Sequence, residues 1–261
     1  MSALLSSAVL ESPSLLLLAA LVLLGALAGF ISAIAGAGGL LVLPALLMLG
    51  VPPIAALATN KLQNVFGTAS SMLNYFAKGQ IELTGMLPAI LCALLGSAIG
   101  TFCVQQLDAT QLAQLLPLLL ILVALYFSLS PRVGDLDARP RLGHTAFALT
   151  TASTIGFYGG FFGPGIGSLF AVAFVSLRGY NLVRATAHTK VLVFATNLSS
   201  LLLFIGAGEV IWTLGLCMAA GQIVGARLGS NLVVRRGAGL VKPMIIIATL
   251  ALATRLLWQA W

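Results

Sequence analysis

Two stretches of this chain match each other, Gly29 to Leu129 and Gly156 to Leu257. At a separation of 127 residues the matched pairs are Gly29 and Gly156, Phe30 and Phe157, Gly36 and Gly163, Gly38 and Gly165, Ala58 and Ala185, and Thr59 and Thr186. Two extra residues then enter the second copy, and a separation of 129 joins Lys61 to Lys190, Ser70 to Ser199, Ser71 to Ser200, Gly79 to Gly208, Gly96 to Gly225, and Gly100 to Gly229. A repeat of this length in an apolar chain indicates a duplicated membrane unit, which is common in transporters.

The composition excludes a water-soluble globule. Hydrophobic residues make up 60% of the chain and charged residues 7%, and the mean hydropathy is +1.10. Too few polar side chains are present to cover a soluble surface, so the chain is expected to lie in a lipid bilayer. Its long Leu, Ala and Val runs favour helices over the short alternating strands of a β-barrel. The three cysteines lie in apolar runs without CxxC spacing, and no metal or cofactor is expected.

The apolar runs divide the chain into two membrane repeats, residues 14–130 and 144–258, joined by a polar linker at 131–143. The runs are Ser14–Ala35, Leu40–Leu49, Leu62–Ala77, Leu83–Leu107, Leu112–Ser130, His144–Phe162, Ile166–Leu177, Val191–Ile205, Val210–Val234 and Leu240–Leu257. The first run follows no basic segment, so it is predicted to be a retained helix and not a signal peptide. Because each copy has about five segments, an odd number, the second copy should be inverted in the membrane.

Basic residues orient the predicted helices. If the N-terminus lies outside, the inner loops hold Lys78, Arg132, Arg139, Arg141, Arg178, Arg184, Lys190, Arg235, Arg236 and Lys242. Only Lys61 and Arg255 then fall outside, and Arg227 lies near the inner end of its helix, in agreement with the positive-inside rule. Both termini are therefore predicted outside and the linker cytoplasmic. The net charge of +7 is explained by this asymmetry, and no nucleic acid partner is expected.

In each copy the second segment is short and begins at a glycine cluster. The clusters are Gly36, Gly38 and Gly39 in the first copy and Gly163, Gly165 and Gly167 in the second. Broken segments at matching places indicate a binding site near the middle of the membrane, where free N–H groups can approach an anion. Close packing of helices would also explain these glycines. Whether the first two segments both span or form a re-entrant hairpin is left open.

The third segment of each copy carries polar residues at helical spacing. In the first copy these are Asn60, Asn64, Gly67, Thr68, Ser71 and Tyr75, and in the second they are Thr189, Thr196, Asn197 and Ser200. Such side chains should turn inward, to line a wet pathway or to bond neighbouring helices. Lys61 and Lys190 lie at the predicted entries to these segments, where a lysine is either an anion-attracting group or an interface anchor. Both roles stay open for Lys61, whereas an anchor on the cytoplasmic side is the favoured role for Lys190. His188 is a candidate for proton coupling, or a histidine at the interface without a special task.

The acidic residues argue for an anionic substrate. Glu11, Glu82, Asp108, Asp135, Asp137 and Glu209 all lie at segment ends or in loops. Proton or Na⁺ sites inside membranes usually contain a carboxylate, and none is placed there by this sequence. An intramembrane enzyme would need a nucleophile with a base, or paired carboxylates, and neither pattern is present. The chain is therefore predicted not to be an enzyme.

The motifs resemble those of the sulfite exporter TauE/SafE family. The resemblance rests on AGFISAIAGAGG at 28–39, ALATNK at 56–61, GFYGGFFGPG at 156–165 and ATAHTK at 185–190, and it extends over nearly the whole chain. It implies a bacterial plasma-membrane permease that moves sulfite, sulfoacetate or related organosulfonates outward. The second cluster departs from the first in having Ile166 where the first has Gly39, so the halves need not contribute equally.

These observations predict an all-α polytopic membrane protein of two inverted-topology repeats, with short Gly-rich broken or re-entrant segments around a central anion site. The predicted substrate-binding residues are Gly36, Gly38, Gly39, Thr59, Asn60, Lys61, Asn64, Gly163, Gly165, Gly167, Thr186 and Asn197. Its partners are the lipid bilayer and a small anion, and a homo-oligomer is left open. The alternatives are a non-transporting membrane assembly partner and a permease for a different small organic anion.

Overall fold

The structure, a computed structural model, describes residues 14–108, 110–112, 114–115, 118–119 and 139–237. These residues form helices and short connections, with no strand among them. The predicted segment Leu240–Leu257 lies outside the described residues, as do most of Leu112–Ser130 and most of the linker at 131–143.

Eight helices are numbered here in chain order. They are α1 (Leu15–Ala35), α2 (Gly39–Met48), α3 (Pro53–Ala77), α4 (Leu87–Gln105), α5 (His144–Ala146, the π-helical Phe147–Ala152 and Ser153–Phe161), α6 (Ile166–Arg178), α7 (Leu182–Gly206) and α8 (Trp212–Arg236). The predicted segments agree closely except at α3 and α7, which begin nine residues earlier than predicted, at Pro53 and Leu182. Lys61 and Lys190 therefore lie well inside these helices and not at their entries.

Local sequence explains where these helices begin and end. Pro53 stands in the first turn of α3, where its missing N–H and fixed φ cost nothing. The side chain of Asn181 caps α7 by accepting a hydrogen bond of 2.9 Å from the backbone N–H of Arg184. Gly36 ends α1 in the left-handed conformation, with φ 72°.

The helices are those of an integral membrane protein. Among the described helices α1, α4 and α7 are both long enough and apolar enough to cross a bilayer. Large apolar side chains such as Leu23, Leu95 and Leu202 are exposed on the outside of the bundle, with 70%, 60% and 61% of their surface free. Lipid tails are the environment that such side chains prefer, so the chain is an all-α polytopic membrane protein.

The helix α1 packs directly against α8 through small residues. A Cβ atom on Gly225 would lie 1.9 Å from the carbonyl oxygen of Ala26, and one on Gly229 would lie 2.5 Å from that of Phe30. Glycine lets the two backbones touch, as is usual where membrane helices pack. Since residue numbers rise together along both helices, α1 and α8 run parallel.

The helices α4 and α5 make the same kind of contact. A Cβ atom on Gly96 would lie 2.3 Å from the carbonyl oxygen of Ser153, and one on Gly100 would lie 2.1 Å from that of Phe157. The residues that meet here are separated from those of the α1–α8 contact by 127 or 129 positions, the separations of the sequence repeat. The paired glycines of the sequence therefore occupy equivalent contacts.

Hydrogen bonds join the third helix of each repeat to the fourth helix of the other. Asn74 on α3 donates to Ser230 Oγ on α8 at 2.8 Å, and Thr101 on α4 donates to Ser200 Oγ on α7 at 2.7 Å. The described helices thus form two bundles, the α8 bundle (α1, α3 and α8) and the α4 bundle (α4, α5 and α7). The bundles meet where α3 contacts α7. The residues of the predicted polar stripes are buried inside the protein.

Candidate functional site

The two helix breaks predicted from the glycine clusters touch each other. A Cβ atom on Gly36 would lie 2.4 Å from the carbonyl carbon of Gly167, and the hydroxyl of Ser168 donates to the carbonyl oxygen of Ala35. Gly163 and Gly165 adopt positive φ angles of 99° and 81°, which side chains other than glycine rarely accept. The end of α1 and the start of α6 therefore meet backbone to backbone.

A small cavity lies at this meeting point. Its lining residues are Ser32, Gly36, Gly39, Asn60, Asn64, Gly163, Gly165, Ile166, Gly167, Val193 and Asn197. The described lining contains no acidic residue. The cavity volume is about 20 Å³, which holds about one water molecule. A polyatomic anion is larger than this, so the cavity must widen before it can bind one.

Amide groups supply hydrogen-bond donors to the cavity. The Oδ1 atom of Asn60 accepts bonds from Gln63 Nε2 at 2.9 Å and Asn64 Nδ2 at 3.0 Å, which turns the NH₂ group of Asn60 toward Gly39. Gln222 on α8 donates to Asn64 Oδ1 at 2.9 Å and so fixes that amide as well. Within the described residues neither the Asn60 NH₂ nor the Asn197 amide has a partner. Both are free to donate to a bound anion.

The start of α6 adds backbone donors. The first N–H groups of a helix have no partner within that helix. In the part of the chain that the structure describes, the N–H groups of Gly165 and Gly167 are bonded to no acceptor. Such groups carry partial positive charge and favour a negative ligand. The cavity therefore combines fixed amide donors with a helix N-terminus, which is chemistry suited to an oxyanion.

Two lysines lie immediately behind the lining. The Lys61 ammonium donates to the carbonyl oxygen of Gly159 near the end of α5. The Lys190 ammonium donates to the carbonyl oxygen of Ser32 near the end of α1, at 2.6 Å. Only 1% and 2% of their respective surfaces are exposed. The expectation that Lys190 could reach the membrane interface as an anchor is therefore wrong.

Several predicted site residues lie away from the cavity. Gly38 packs on α1, where a Cβ atom would lie 2.3 Å from the carbonyl oxygen of Ala28. Thr59 accepts a hydrogen bond of 3.1 Å from the N–H of Ile211 at the start of α8. Thr186 bonds the carbonyl oxygen of Leu182 in its own helix at 2.7 Å. Direct contact of Gly38, Thr59 or Thr186 with a substrate stays a prediction, and the positions of these three residues do not support it.

His188 also lies outside the cavity. Its Nδ1 atom is 2.8 Å from the carbonyl oxygen of Arg184, and the N–H of Glu82 donates to its Nε2 atom at 3.2 Å. The ring packs against Tyr180 with 4.8 Å between centroids. These contacts tie α7 to the segment before α4. Proton coupling through His188 stays a prediction.

Four residues of the site did not emerge from the sequence. Ser32, Ile166 and Val193 line the cavity, and Gln222 orients Asn64 from α8. Ser32 had a usable signal, because it stands one helical turn before the break at Gly36. The signal for Gln222 is weaker. It is an amide side chain in the middle of an apolar helix, where polar groups usually have a partner.

Comparisons with known proteins agree on a transporter family. The sequence profile described as "Sulfite exporter TauE/SafE" matches residues 21–256. The chain is 44% identical to "Probable membrane transporter protein ORF9" of a Sinorhizobium species over 92% of each chain. It is 42% identical to a "Probable membrane transporter protein" of Haemophilus influenzae, over 94% of this chain and 96% of the relative. It is 44% identical to "Probable membrane transporter protein YfcA" of Escherichia coli K12, over 94% of this chain and 91% of the relative. No solved structure matches the chain.

Proposed function

We propose that this chain, which belongs to the sulfite exporter TauE/SafE family and is a membrane transporter, exports sulfite or small organosulfonates across the bacterial plasma membrane. The observation that carries the proposal is the cavity where the breaks of α1 and α6 meet. Its lining offers amide and backbone N–H donors without a carboxylate, and two buried ammonium groups stand behind it. A small oxyanion needs several donors and positive charge, and this arrangement supplies both.

The proposal includes two repeats of opposite orientation. Packing supports it: α1 and α3 run parallel to α8, while α5 and α7 run parallel to α4. The connection of 78–86 is too short to carry the chain back along the length of α3, so α3 and α4 are antiparallel. The helices α1, α3 and α4 then run opposite to their counterparts α5, α7 and α8, as expected for transporters that expose one site alternately.

In alternating access, the units that move relative to each other would be the two bundles, not the two sequence repeats. Each bundle combines the first and third helices of one repeat with the fourth helix of the other. Within the bundles, α1 touches α8 and α4 touches α5 backbone to backbone at glycine, which leaves little room for these pairs to slide. The bundles meet beside the cavity through the contact of α3 with α7 and through the lysine bonds from α3 to α5 and from α7 to α1. These are the contacts that rocking of the bundles would have to change. Rocking there would widen the cavity toward one side at a time.

Flux and binding measurements test the proposed function together. Purified protein in proteoliposomes should give saturable flux of sulfite or a small sulfonate, and the same anion should raise the protein's melting temperature in detergent. Flux and stabilisation with carboxylates alone would instead indicate a permease for a different organic anion. Neither flux nor stabilisation with sulfite, sulfate, thiosulfate, sulfonates or carboxylates would contradict transport and favour a membrane assembly partner.

A further inference from the structure

Lys61 and Lys190 make equivalent bonds in the two repeats. The lysines are separated by 129 positions, and their acceptors, Ser32 and Gly159, by 127, which are the separations of the repeat. Each ammonium therefore meets the carbonyl end of the first helix of the opposite repeat. Each repeat therefore places an equivalent cation behind the cavity lining, whereas the sequence predicts an anion-binding role for Lys61 alone.

Among the described residues, no full negative charge lies beside either ammonium. In the described part of the chain the ion pair found is that of Arg184 with Glu82, at 2.7 Å, and it involves neither lysine. The carbonyl end of a helix offers only about half of an elementary charge. Each ammonium carries three N–H donors and uses one on its carbonyl acceptor. Burying a cation with so little compensation is costly, so the approach of an anion is favourable.

The cavity is the place where that anion can approach both lysines. Ser32, the acceptor for Lys190, is itself a lining residue. Gly163 is another, and a Cβ atom on it would lie 2.6 Å from Lys61 Nζ. Each ammonium is therefore separated from the cavity by a single lining residue, and a small shift of either side chain would expose N–H donors to it.

We propose that Lys61 and Lys190 act together to select small anions of charge −2 over equally sized anions of charge −1. This rests on the proposed function, because it places the substrate in the same cavity. An anion of charge −2 balances both ammonium groups, whereas one of charge −1 leaves a buried cation without compensation. Lys190 is thus a specificity-determining residue equal in weight to Lys61.

Sulfate and methanesulfonate are matched probes for this inference, since both are tetrahedral and of similar size but carry charges of −2 and −1. We expect the purified full-length protein to bind sulfate at least about tenfold more tightly, as judged by the concentration dependence of its melting temperature. In Lys190→Met the sulfate affinity should fall by about tenfold or more, the scale of one lost hydrogen bond to a charged group. The affinity for methanesulfonate should change by less than about threefold.

The controls separate charge selection from a structural role of the lysines. Lys78→Met removes a lysine just past the end of the helix that carries Lys61, away from the cavity, and it should leave the preference for sulfate unchanged. Lys190→Arg should restore part of that preference. If Lys190→Met does not fold, Lys61→Met and the preference of the unmodified protein test the same claim.

Two outcomes would overturn the inference. One is equal binding of both anions by the unmodified protein, and the other is equal weakening of both anions in the lysine variants, as expected if the lysines only hold α1 and α5 in place. Absence of binding by any anion would contradict the proposed function itself, so the two failures can be told apart.

Discussion

Gly160→Ala and Gly225→Ala will each lower the free energy of unfolding by about 3 kcal/mol, because each adds a methyl group where two helices touch. A Cβ atom at Gly160 would lie 1.9 Å from the carbonyl oxygen of Ser97, and one at Gly225 would lie 1.9 Å from that of Ala26. Backbone atoms cannot turn aside as a flexible side chain can, so the helices must separate. Chemical unfolding in detergent micelles measures the effect.

The matched control for these glycines is Gly206 at the end of α7. A Cβ atom there would meet no atom within 4 Å, and the residue is helical. Gly206→Ala should therefore be neutral or stabilising by up to about 1 kcal/mol, since alanine favours helix over glycine. Equal effects of all three substitutions would contradict the close packing of α4 with α5 and of α1 with α8.

Asn60→Leu and Asn197→Leu will reduce kcat/KM for the transported anion by about tenfold to a hundredfold, with folded protein retained. Both amides lie on the cavity and have donors that no group in the described residues uses. Leucine keeps a similar volume but removes the donors, so the anion loses hydrogen bonds that the buried site cannot replace with water. Flux into proteoliposomes at varied anion concentration measures the loss.

Asn74 provides the control for these amides, because it is a buried asparagine on the same helix as Asn60. Its NH₂ group bonds Ser230 at 2.8 Å and Asn231 at 3.1 Å, far along α3 from the cavity. Asn74→Ala should lower stability and leave flux per folded molecule within about twofold, since it removes packing and not substrate contacts. Normal flux in the Asn60 and Asn197 variants would contradict the assignment of the cavity.

Much of the architecture could be predicted because its signals are local. Apolar runs mark the helices, and the glycines at Gly36 and Gly163 mark the breaks at positions that the structure also gives. The polar faces of α3 and α7 turn inward as predicted, with Asn60 and Thr196 buried at 1% and 0% exposure. Helical spacing is enough to predict this burial. Polar side chains that share one face of a helix avoid the lipid when that face turns toward the protein interior.

The rest depends on contacts between distant parts of the chain. Apolar periodicity does not reveal the first turns of α3 and α7, so it predicts Lys61 and Lys190 at helix entries, whereas both lie buried inside the protein. The position of Thr59 beside Asn60 and Lys61 in the sequence predicts a place in the site. Its hydroxyl instead accepts a hydrogen bond from the N–H of Ile211 at the start of α8. A single sequence does not show that the fourth helix of each repeat packs in the bundle of the other repeat. Glycines indicate that a helix packs closely, but they do not identify the helix it packs against.

The opposite orientation of the two repeats is tested most directly by sided cysteine labelling. Gln80 and Glu209 lie at equivalent positions, 129 residues apart, in the connections before α4 and α8. In a variant without Cys92, Cys103 and Cys217, Gln80→Cys should react with a membrane-impermeant maleimide only from the cytoplasmic side, and Glu209→Cys only from the outside. Reaction of both cysteines from the same side would contradict the inverted repeats, and with them the cavity as a site opened to each side in turn.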